Sequence, residues 1–159
     1  MTSVVRLLLT GVATLVAAAV VAQLPVPTGG QDAPSVPEAL QSPQATVRTY
    51  LEAMNDGRIR DAARTLDLSS VNLVLRDTEG TRLARMLFDV LNRTIYVEID
   101  AIPDATEGEP YTVVRPLSDD GRGLGAITVA RGADGAWRFS SETVRSLPDL
   151  WERVRDRPV

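Results

Sequence analysis

Glu98 and Asp100 are the two residues of this chain best spaced for acid–base chemistry. They alternate with Ile95, Val97 and Ile99, a period-two pattern that predicts a half-buried strand. On such a strand both carboxylates point to one side, about 7 Å apart. Glycosidases place their two carboxylates on either side of a scissile bond. One strand face does not surround a sugar, so the expected role of the pair is a solvated face opposite the three apolar residues.

The other chemical motifs resolve in the same way. Gly121, Gly123 and Gly125 spell G-x-G-x-G. A nucleotide fingerprint follows a strand and opens a helix, whereas these glycines precede a strand and predict a flexible hairpin connection. Asp119-Asp120 and the set Asp104, Glu107 and Glu109 offer oxygen ligands to calcium. They lack the regular spacing and distal Glu of a dedicated loop and read as solvated acidic loops. Asn92-Arg93-Thr94 matches a glycosylation sequon but overlaps the end of an expected helix, and it reads as a chance match. Trp137 and Trp151 are expected as core anchors, with an interface or a ligand pocket as the alternatives. No catalytic, cofactor-binding or metal-ligating residue is assigned.

Composition narrows the chemistry further. The chain has 159 residues, no Cys, no His and a net charge of -4. Its basic residues are all Arg and alternate with acids, which argues against a nucleic-acid partner. Disulfides, thiolate nucleophiles, sulfur-ligated metals and imidazole bases are excluded. The absence of Lys removes Schiff-base chemistry and a P-loop. Only carboxylates, hydroxyls, Tyr and Arg remain, and a non-enzymatic protein is expected. Aromatics make up 4% of residues, so aliphatic residues and Ala must fill most of a core.

These residues need elements to hold them. Arg6 followed by the apolar run Leu7 to Ala22 has the layout of a secretory signal peptide, with a signal anchor as the rival. Residues 1–22 are therefore expected to direct export to the periplasm and to provide the only membrane contact if uncleaved. Residues 23–41 are rich in Pro, Gly and Ser and are expected to be a flexible linker without secondary structure. Residues 42–159 are expected to form a single domain.

Within that domain, Ser42-Pro43 is a helix start, and Val47, Tyr50, Leu51 and Met54 recur on one helical face. Gly57 closes that helix, and Ile59, Ala62, Ala63 and Leu66 mark a second. After a connector from Asp67 to Asp77, Leu83, Met86, Leu87, Val90 and Leu91 form the stripe of a third helix, from about Glu79 to Arg93. Strands are expected at Ile95–Ile99, Tyr111–Arg115, Leu124–Arg131 and Trp137–Phe139. An acidic loop separates the first two, a turn at Ser118–Gly121 the next, and an Asp134-Gly135 hairpin the last two. Ser140 or Ser141 caps a closing helix that buries Leu147, Leu150, Trp151 and Val154, with Pro148 expected to bend or restart it. The expected fold class is α+β: three N-terminal helices, an antiparallel sheet of about four strands and a C-terminal helix.

The order of these pieces, from Ser42-Pro43-Gln44-Ala45-Thr46-Val47 through Leu83-Ala84, Tyr96-Val97-Glu98-Ile99-Asp100 and Trp137-Arg138-Phe139-Ser140 to Leu147-Pro148-Asp149-Leu150-Trp151, resembles a known arrangement. It is similar to the soluble N-terminal region that precedes the membrane part of some bacterial small-conductance-type mechanosensitive channels. The resemblance covers about Ser42 to Val159. It implies an extramembranous domain without catalytic residues, whose partner is a membrane channel or another envelope protein. In that family pore helices follow, and no apolar run long enough to span a membrane occurs here after residue 22, so no pore is expected in this chain. A stand-alone module and a truncated channel product are both compatible with that ending. The alternative is a small exported ligand-binding module of the cone-shaped SnoaL-like type, which the helix pair and the hairpin into Trp137 also resemble. A carboxylate-only hydrolase using Glu98 and Asp100 is the third reading.

Overall fold

The computed structural model describes residues 35–115 and 125–158. The expected signal segment, most of the linker, the Ser118–Gly121 turn, Asp119, Asp120, Gly121 and Gly123 lie outside the described residues.

The fold is α+β. Helix α1 (Pro43–Asn55) starts at Ser42, whose hydroxyl oxygen accepts from the Ala45 amide at 3.0 Å. With Pro43 fixing the first turn, this is a strong start signal. Gly57, at φ 72°, turns the chain from α1 into α2 (Ile59–Arg64). A side chain at that angle would be strained, which is why the turn takes glycine. Helix α3 (Arg76–Thr94) buries Leu83, Leu87, Val90 and Leu91, with Met86 half-buried beside them. Gly80 lets α3 close on its neighbours: a Cβ there would lie 2.8 Å from Leu68 Cδ1 and 3.4 Å from Ala63 Cβ.

Strands β1 (Tyr111–Val114), β2 (Ile127–Arg131) and β3 (Trp137–Phe139) form an antiparallel sheet in the order β1-β2-β3, with an irregularity between Thr112 and Val114. The β2–β3 connection contains Asp134-Gly135, with Gly135 at φ 80°. The Asp134 carboxylate receives both Arg138 guanidinium hydrogen bonds, at 3.0 and 2.8 Å, which hold its pKa below the usual carboxylate value. Helix α4 (Ser141–Val154) is capped by Ser140, which accepts from the Thr143 amide at 3.2 Å. The helix runs through Pro148 without restarting.

The core lies where α1 meets β2 and β3 and where α3 meets α4. Tyr50 stands edge-on to Phe139, with ring centroids 5.1 Å apart, and donates its buried hydroxyl to the Ala84 carbonyl at 2.8 Å. Burial, with the Asp89 charge adding to it, raises the Tyr50 pKa well above its usual 10.0. The Thr46 hydroxyl lies 2.9 Å from both the Ser42 and Trp137 carbonyl oxygens, tying α1 to β3.

Two expectations are corrected. Ile95 to Ile99 is not a strand: Ile95 to Glu98 run free of any ladder, and Ile99–Ala101 form a 3₁₀ turn. The stretch closes on itself, with Ala101 donating to the Glu98 carbonyl at 3.1 Å and Ile102 to that of Ile99 at 3.0 Å. The outer edge of β3 is paired with the Thr65–Asp67 segment, through Asp67 to the Phe139 carbonyl and Phe139 to that of Thr65, both at 2.9 Å. The carbonyls of Ile99 and Ile102 are also met by the Gln44 side chain, at 3.2 and 3.1 Å. The described residues thus hold three strands and not about four. At the end of the expected linker, Glu38–Leu40 form a 3₁₀ turn and Leu40 is buried against the domain. Order therefore begins before Ser42, since one apolar side chain there finds a place in the core.

Candidate contact surfaces

The residues singled out for chemistry do not converge. Glu98 lies in the extended stretch and Asp100 in the 3₁₀ turn after it; both are exposed, with no strand face to align them. Asp104 accepts a short hydrogen bond from Ser42 and so anchors the start of α1, while Glu107 lies 4.0 Å from Arg131. Among the described residues, no group of three or more acidic side chains is placed to hold a metal ion. Gly125 is exposed just ahead of β2, with Ser146 Oγ 3.2 Å from where its Cβ would be. In the sequon, the Thr94 hydroxyl donates back into α3, to the Val90 carbonyl at 2.6 Å.

The two tryptophans act as anchors. Trp137 is 1% exposed and donates its indole N–H to the Thr106 carbonyl at 3.1 Å, which fixes the acidic loop over the core. Trp151 is half-buried and donates to Asp89 Oδ2 at 3.1 Å, joining α4 to α3, with the Arg155 guanidinium 5.6 Å from its ring centroid.

What stands out lies at the two ends of α3. Ahead of it, Leu73–Leu75 form a 3₁₀ turn, fixed by the Asn72 side chain, which accepts from the Val74 amide at 3.0 Å. Leu73, Val74 and Leu75 are 74%, 89% and 52% exposed. With about three residues per 3₁₀ turn, consecutive side chains splay around the axis, and here all three project outward as a knob. Behind α3, Ile95 and Tyr96 are 41% and 90% exposed. They line a surface groove of about 480 Å³ with Leu51, Leu91, Arg93 and Val97. The ends are about 28 Å apart, from 19 helical residues at 1.5 Å each.

A second groove, of about 640 Å³, adjoins the knob through Arg76 and Asp77. Its lining carries Arg60, Arg64, Arg76 and Arg138 against Asp67 and Asp77. Arg64 pairs with Asp61 at 3.2 Å and Arg138 with Asp134 at 2.8 Å. Arg76 donates to the Val71 carbonyl at 3.3 Å and, like Arg60, has no ion pair among the described residues. Counting Asp61 and Asp134, four arginines face four aspartates around this groove.

Sequence reading did not identify the knob. Leu73-Val74-Leu75 is an apolar triplet inside a polar connector, with neither a period of two nor of 3.6. The available signal was that lack of period, since three adjacent apolar residues do not all turn toward one core. Among the described residues, no helix is long and apolar enough to cross a membrane. Comparison with protein-family models, with curated proteins and with solved structures returns no match.

Proposed function

We propose that this chain is a non-enzymatic, exported domain of the cell envelope that acts by protein–protein contact through the ends of α3. The observation that carries this reading is the knob: three adjacent aliphatic residues held out in a capped turn, 74%, 89% and 52% exposed. Contiguous exposed apolar surface on a water-soluble domain marks an interaction site. The sequence resemblance to the soluble N-terminal region of mechanosensitive channels supplies the class of partner, a membrane channel or another envelope protein. The cone-type binding module has less support, because Trp137, which would border its pocket, is 1% exposed within the core.

The test is in-cell photo-crosslinking with a reactive side chain at position 74 and, as control, at the exposed position 142. Adducts with a protein at 74 and none at 142 are expected. Equal adduct patterns at the two positions would refute the contact reading.

A further inference from the structure

We draw no further inference here: the strongest candidate, the pair of exposed apolar patches that flank helix α3, Leu73–Leu75 ahead of it and Ile95 with Tyr96 behind it, carries nothing beyond the contact reading, because nothing in the structure shows what covers them.

Discussion

Tyr50 carries the clearest single-residue consequence. Its hydroxyl is buried and donates to the Ala84 carbonyl. Tyr50→Phe removes that hydrogen bond and should cost about 1 kcal/mol in a urea titration. The raised pKa gives a sign for pH as well. Unfolded tyrosine ionises near pH 10, while the folded phenol holds its proton well above that. The stabilising contribution is full below about pH 10 and is lost as pH rises from there toward the folded value. Wild-type stability should therefore fall between pH 9 and pH 11 more steeply than that of Tyr50→Phe. Parallel declines would mean the phenol is not shielded. Val74 makes the opposite case. Val74→Asp replaces a side chain 89% exposed and should leave the unfolding free energy within about 0.5 kcal/mol of wild type. A larger loss would mean that the knob packs within its own chain.

At the scale of elements, helices were legible because their apolar faces repeat at 3.6 and their starts carry Ser42-Pro43 and Ser140. The β2–β3 hairpin was legible from Asp134-Gly135. What sequence did not convey was a side-chain contact from a distant helix. Ile95 to Ile99 has a strand's pattern, but the chain enters a 3₁₀ turn at Ile99 whose carbonyls are met by Gln44 of α1, and only tertiary contact decides that. Tyr96, in the same irregular stretch, is exposed beside the groove. The α3–α4 junction depends on Trp151 and Asp89. Trp151→Phe keeps the apolar packing but leaves the carboxylate without its donor, and should cost about 1–2 kcal/mol in thermal or urea unfolding. An unchanged midpoint would show that water replaces the indole N–H freely.

For the molecule as a whole, the candidate acids among the described residues are scattered, and the exposed large apolar residues among them are collected at two points. Helix α3 buries one face, through Leu83, Leu87, Val90 and Leu91, and the exposed large apolar residues flank its two ends. The exposed apolar residues at those ends are what the proposed contact rests on. The chain contains no cysteine, so a single introduced thiol is uniquely addressable. The most direct measurement is the rate at which a membrane-impermeant maleimide, applied to the native envelope with its outer barrier permeabilised, labels Val74→Cys and Glu142→Cys. The proposed contact predicts that, relative to dilute purified protein, labelling at 74 slows at least several-fold in the envelope while labelling at 142 changes little. Labelling at 74 that is as fast in the envelope as in dilute solution would contradict it.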